Sequence, residues 1–118
     1  MRFLSIYKTA ERGVPPSQEE MARMGKLIEE GMKAGYLVAV EGCLPTKLGV
    51  RVRQTNSQFT VTDGPFAETK EVICGMAILN ADSKEQAIEF TKKFLAYAGA
   101  DGECEVRQLH EASATANA

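Results

Sequence analysis

The chain has 118 residues, 44% hydrophobic and 25% charged, the size and composition of one globular domain able to bury a core without staples. A net charge of −2 supplies no basic field for nucleic acid or an anionic membrane surface, and the absence of Trp argues against base stacking. Three dispersed cysteines, Cys43, Cys74 and Cys104, lack Cys-x-x-Cys spacing. They argue against a zinc site or a disulfide framework and predict buried, reduced thiols.

The N-terminal apolar run is too short for a signal peptide, and no stretch approaches the ~20 apolar residues of a membrane span. The sequence therefore reads as a soluble cytoplasmic domain over residues 1–111, with a flexible, small and polar C-terminal tail over 112–118. Residues 3–8 form a first predicted strand with apolar groups on both faces. Gly13 and Pro15-Pro16 break the chain before Ser17-Gln18-Glu19-Glu20, a capping box that starts a helix. Met21, Met24, Ile28 and Met32 mark its apolar face and Gly35 its end. Gly25 and Gly31 inside the helix each cost about 1 kcal/mol relative to Ala, which close packing on a sheet would offset.

A second strand is predicted over 36–43, with Leu37, Ala39 and Glu41 on one face and Val38 and Val40 on the other. Residues 44–49 read as a loop. Residues 50–55 and 58–62 alternate with period two around Asn56-Ser57, the pattern of a β-hairpin with Arg51 and Arg53 on its polar side. The Asp63-Gly64-Pro65-Phe66 turn leads into residues 72–79, the longest apolar run and the predicted central strand. Ser83-Lys84-Glu85-Gln86 resembles a second capping box, for a helix that ends at Gly99. The last strand is predicted over 103–110 and contains the single histidine, His110.

This order predicts an α+β fold: a ferredoxin-like split βαβ sandwich with an inserted β-hairpin. Two helices cover one face of a sheet, yet three strands look apolar on both faces. A second copy packed sheet to sheet answers this, so the expectation is a homodimer forming a dimeric α/β barrel. A monomer with an exposed sheet is the alternative.

The densest group of ionisable residues is Asp63-Gly64-Pro65-Phe66-Ala67-Glu68-Thr69-Lys70-Glu71. It resembles the signature of the DGPF branch of the YCII-related family. Glu41-Gly42, Leu44-Pro45, the Val50-to-Arg53 strand, the strand around Gly75, the Ser83-to-Phe94 helix and the closing 104–109 run fit as well. The resemblance, over roughly residues 2 to 110, implies a ferredoxin-like homodimer. Relatives outside the DGPF branch look like small-molecule enzymes, including a dehydrochlorinase of a chlorinated hydroxyquinol with a proposed His–Asp acid–base pair. This chain has no His in its first helix or second strand. The family is also associated with extracytoplasmic-function sigma factors, which implies a regulatory or accessory role.

Two functional readings follow. In the first, the protein binds a small organic ligand, anionic or phenolic, without a cofactor or metal, in a cleft near the DGPF segment. Glu41 and Asp63 are then the candidate acid–base residues of a lyase- or isomerase-like activity. Arg51, Arg53, Phe66, Glu68 and Lys70 are the candidate substrate-binding residues. In the second, the protein is a non-catalytic regulatory or interaction module. Each residue also has a plainer explanation: Asp63 and Pro65 as turn formers, Phe66 as a plug of the core, Glu68 with Lys70 as a surface ion pair, the arginines as a solvated face, and Glu41 as a side chain already in solvent.

Overall fold

The computed structural model describes residues 1–111; the expected tail, 112–118, lies outside the described residues. The elements run β1 (Arg2–Thr9), α1 (Gln18–Ala34), β2 (Leu37–Gly42), a 3-10 turn at Thr46–Leu48, β3 (Val50–Thr55), β4 (Gln58–Asp63), β5 (Val72–Asn80), α2 (Lys84–Ala98) and β6 (Gly102–Gln108). Four strands form one sheet in the order β2-β5-β1-β6. Each neighbouring pair is antiparallel. This is an α+β architecture with two helices, consistent with a ferredoxin-like arrangement. β3 and β4 pair only with each other, as a separate two-stranded ribbon.

Local chemistry sets the helix ends. The Ser17 hydroxyl accepts the Glu20 amide at 3.0 Å, and the Glu20 carboxylate accepts the Ser17 amide at 2.8 Å, which completes the capping box. Arg12 grips the same carboxylate at 2.8 Å, and these bonds hold Glu20 well below the usual carboxylate range, at about 2. Gly35 ends α1 with φ 87°, a left-handed conformation that a Cβ would oppose. At α2 the Ser83 hydroxyl accepts the Gln86 amide at 3.1 Å. Here the box is shifted by one residue, because the Gln86 side chain accepts the amide of Asp82, at 2.6 Å.

Both helices lie on one face of the sheet. Phe3, 2% exposed, packs with Leu79, Ala81 and Ala87, and Tyr36, Leu37, Ala77, Phe90 and Val106 surround them. Tyr36 stacks on Phe90 at 4.0 Å, and Tyr7 meets Phe94 edge to face at 5.0 Å. The buried Thr91 hydroxyl is satisfied by the Ala87 carbonyl at 2.8 Å.

The faces of β2 differ from the predicted alternation. A register shift between Leu37 and Ala39 makes Leu37 partner Leu79 and Val40 partner Ala77. Leu37 and Val40 therefore face the helices, while Ala39 and Glu41 face the opposite side. The irregularity at Val38 inserts one residue into the ladder and reverses the pleat beyond it. β5 is central, as predicted, but the described residues cover it on one side only, and Met76 is exposed. His110 lies two residues beyond the end of β6. Cys43 is exposed and Cys74 and Cys104 are partly buried, so the expectation of three buried thiols fails at Cys43, which follows the end of β2.

The ribbon is tightened by Asn56 and Ser57, both at positive φ (52° and 65°), the geometry of a type I′ hairpin turn. Its apolar side consists of Val50, Val52, Phe59 and Val61, exposed by 55, 66, 71 and 63%. No element among the described residues covers them, and an isolated two-stranded ribbon is marginal in water.

The two helical glycines have different roles. A Cβ on Gly31 would stand 3.0 Å from the Leu37 Cβ and 3.1 Å from the Tyr36 ring, whereas one on Gly25 would meet nothing within 4 Å. Gly25→Ala is expected to raise stability by about 0.8–1 kcal/mol through helix propensity. Gly31→Ala is expected to forfeit that gain by crowding the helix–strand turn. Urea denaturation of the two variants checks the contrast; equal gains would contradict the packing assigned to Gly31.

Candidate functional site

The chain leaves β2 through Cys43-Leu44-Pro45 and enters the 3-10 turn, closed by Leu48 N–H to the Pro45 carbonyl at 3.0 Å and Gly49 N–H to the Thr46 carbonyl at 2.9 Å. Thr46 is buried, and both its amide and its hydroxyl donate to the Glu11 carboxylate at 2.7 Å. The same hydroxyl oxygen accepts the Phe66 amide at 3.3 Å, and the Gly49 carbonyl accepts the Gly64 amide at 2.9 Å. Three segments distant in sequence thus meet at one threonine. The two bonds from Thr46 hold the Glu11 carboxyl below its ordinary value, the backbone bond being the stronger cause.

This knot explains the residue types of the DGPF stretch. A Cβ on Gly64 would lie 1.7 Å from the Thr46 carbonyl oxygen, so only glycine permits the approach. The Gly64–Pro65 peptide is cis. Phe66 is half-buried, and the Arg51 guanidinium lies over its ring at 3.9 Å. Arg51 also donates to both Glu68 carboxylate oxygens at 3.2 Å. Thr69 folds the segment back, its hydroxyl donating to the Phe66 carbonyl at 2.7 Å. Glu68 therefore pairs with Arg51 rather than with Lys70. Because both partners are well exposed, the pair contributes at most about 1 kcal/mol.

Glu41 lies elsewhere. Along one row of the open sheet face, Glu41 partners Met76, Met76 partners Ile6, and Ile6 partners Glu105. The adjacent row is Ala39, Ile78, Leu4 and Arg107. Three strand spacings separate the carboxylates at the ends of the first row, about 14 Å at ~4.8 Å per strand. Glu105 accepts from Arg107 at 3.0 Å and from Lys8 at 3.1 Å, and these two cations, Arg107 first, hold its carboxyl below its usual range. The open face is thus an apolar floor with a carboxylate at the β2 edge and two cations around Glu105 at the β6 edge.

The seven residues singled out from the sequence fall into separate places. Arg51, Phe66 and Glu68 form one cluster at the root of the ribbon. Asp63 ends β4, exposed and paired in register with Val50. Arg53 lies on the ribbon's polar side and Lys70 on the surface, neither with an ion pair among the described residues. Glu41 stands alone on the sheet. A shallow depression of about 490 Å³ beside the helices, bordered by Arg23, Lys26 and Tyr97, contains none of the seven. Nor does an apolar cavity of about 60 Å³ walled by Leu27, Val40, Phe90 and Phe94. Among the described residues no cluster of three His, Cys, Asp or Glu side chains could hold a metal ion.

Sequence reasoning missed Glu11, Thr46 and Lys8. Glu11 and Thr46 are separated by 35 residues and carry no local signal. Period-two alternation puts Glu105 and Arg107 on one face of the last strand, but only strand order puts that face beside Lys8 and in line with Glu41.

Two outcomes are expected from the knot. Gly64→Ala should be strongly destabilising, by about 3 kcal/mol or more, because the backbone must move to admit the Cβ; a native-like urea midpoint would refute the close approach. Glu11 has a folded-state pKa below its unfolded value, so its contribution is fully present above that unfolded value and is lost as pH falls through the folded one. Glu11→Gln should therefore lower stability at neutral pH and flatten the acid limb of a Tm-against-pH profile; an unchanged acid limb would exclude the linkage.

The profile of the YCII-related domain matches residues 1–113 of the chain. A relative, the uncharacterized protein R00369 of Rhizobium meliloti (strain 1021), is 33% identical over 78 residues. That alignment covers 66% of this chain, and the chain spans only 63% of the relative's length. With a family profile matched over nearly its whole length, the chain belongs to the YCII-related family.

Proposed function

We propose that this protein is a small-molecule-binding homodimer of the DGPF branch, whose ligand site is a cleft closed over the open sheet face by a second copy. One observation carries this reading: the row Glu41–Met76–Ile6–Glu105, an apolar floor bounded by ionisable groups and left bare within the protomer. Leu4, Ile6 and Ile78 extend it into an apolar surface of the kind that monomers rarely leave exposed. Two sheets packed face to face stand about 10 Å apart with their side chains interdigitated, so a ligand would take the place of some of those side-chain contacts along the row. A dimeric α/β barrel places the cleft between them.

The chemistry of the row suits a phenolic or other aromatic organic anion. Ile6 and Met76 offer flat apolar contact, and Lys8 and Arg107 offer positive charge beside Glu105. Glu41 is the proposed acid–base group, because it ends the apolar row at the β2 edge and has no ion pair among the described residues. Asp63 is the proposed second carboxylate and Arg53 an additional anion contact, both carried on the ribbon. Arg51, Phe66 and Glu68 shape the DGPF rim, with Lys70 at its edge. The proposed activity needs no cofactor and is a proton transfer of lyase or isomerase type.

A second reading has its own support. The apolar side of the ribbon, Val50, Val52, Phe59 and Val61, is a contact surface for a macromolecule, as a non-catalytic module associated with an extracytoplasmic-function sigma factor would require.

Sedimentation equilibrium should show a dimer that Met76→Asp converts to monomer, and a thermal-shift screen of simple benzoates and phenols should give a ligand that stabilises the dimer. Glu41→Ala and Asp63→Ala should each weaken that ligand by about 1–3 kcal/mol, the range for loss of a charged hydrogen bond. A wild-type monomer would remove the cleft. Unchanged affinity in both alanine variants would remove the site assignment and leave the interaction module as the better reading.

A further inference from the structure

We propose that Cys43 and Cys74 form a reversible disulfide across the β2–β5 edge when the protein meets a hydroperoxide, closing a clasp at the root of the 44–73 insertion. The argument starts from register. Gly42 lies opposite Gly75, so the next rung sets Cys43 opposite Cys74, and the Cys43 amide donates to the Cys74 carbonyl at 2.9 Å. Residues directly opposed in an antiparallel ladder point to the same face. Opposed residues joined by such a hydrogen bond typically have their Cα atoms about 5.5 Å apart, within the roughly 4.4–6.8 Å that a disulfide spans.

The two thiols suit different steps. Cys43 is exposed, so a peroxide can reach it. Cys74 is half-buried, and its thiol donates to the Val72 carbonyl at 3.4 Å. Burial pushes the Cys74 thiol up; a backbone hydrogen bond from Thr9 opposes this, and the nearby Cys43 and Glu11 add to it. Cys74 thus resists direct oxidation and serves as the resolving thiol. It also lies at the irregularity where the β1–β5 register skips a residue, passing from Gly75 opposite Tyr7 to Ile73 opposite Lys8.

The chemistry balances with the peroxide as the only oxidant. The Cys43 thiolate attacks one peroxide oxygen, the O–O bond breaks, and the departing hydroxide takes a proton to leave as water. Cys43 is then a sulfenic acid. The Cys74 sulfur attacks the Cys43 sulfur, the S–O bond breaks, and a second water leaves as the S–S bond forms. Two thiols lose two electrons and two protons in total, and hydrogen peroxide is reduced to two waters. Cys104 takes no part, because it stands on β6 opposite Tyr7.

The clasp has a structural consequence. Residues 44–73 contain the Thr46 knot, the ribbon and the DGPF segment, and the chain enters and leaves this insertion at the two cysteines. Oxidation would tie its two ends together covalently and restrict how it opens. The inference stands on register and exposure within one protomer and does not depend on the proposed dimer or ligand.

The test uses the full-length chain. After treatment with hydrogen peroxide and blocking with N-ethylmaleimide, digestion without reductant should yield a Cys43–Cys74 cross-linked peptide. Free thiols should fall from three to one, the survivor being Cys104, and dithiothreitol should restore all three. In Cys74→Ser, dimedone should trap a sulfenic acid at Cys43. Sulfinic acid at Cys43 with Cys74 still free in the wild type would overturn the proposal, as would a Cys43–Cys43 link between chains on a non-reducing gel.

Discussion

Packing of α1 and α2 on Phe3, Leu79, Ala81 and Ala87 decides which side of the four-stranded sheet is dry, and most other features follow from that. Apolar burial contributes roughly 25 cal/mol per Å², so the side that holds Phe3 and Leu79 is fixed firmly. The other side keeps Leu4, Ile6, Met76 and Ile78 in reach of solvent. The molecule measures 43 × 43 × 20 Å, and its thin dimension is a sheet with one layer of helices.

Within this frame the DGPF segment acts mainly as a fastening. Thr46 gathers the Glu11 carboxylate, the Phe66 amide and, through Gly49, the Gly64 amide. Such a knot is needed because the ribbon contributes almost nothing to the core. Its strands are exposed throughout, and its attachment depends on polar bonds at its root. A buried threonine whose amide and hydroxyl both find one carboxylate leaves no donor orphaned, so the fastening is specific as well as local. Arg51 over Phe66 then covers the outer side, at an exposure where each contact is worth only a fraction of the whole.

The ionisable groups on the open sheet face obey a different constraint. Glu41, Lys8, Glu105 and Arg107 come from three strands far apart in sequence, and only antiparallel pairing lines them up. Of these, Glu105 is already committed to two cations, while Glu41 has no ion pair among the described residues. That asymmetry is why the proposed acid–base group lies at the β2 edge and the proposed anion contact at the β6 edge. The cysteine pair lies at the β2–β5 boundary, just beyond Glu41 and Met76 in the ladder.

The sequence alone determined whatever depends on neighbours in the chain. Helix starts at Ser17 and Ser83, stops at Gly35 and Gly99, and the turn at Asn56-Ser57 could be read directly, because capping and positive-φ turns are satisfied within a few residues. The strand–helix order and the α+β class followed from the same periodicities. Tertiary structure decided what depends on pairing across distance. It moved Val40 to the helix side through one inserted residue at Val38, gave Glu68 to Arg51 instead of Lys70, and brought Glu11 to Thr46. It also set Cys43 against Cys74. A period-two pattern cannot report a bulge, because one extra residue reverses every later side chain without changing the composition, and a hydrogen bond between segments dozens of residues apart leaves no periodic trace in either.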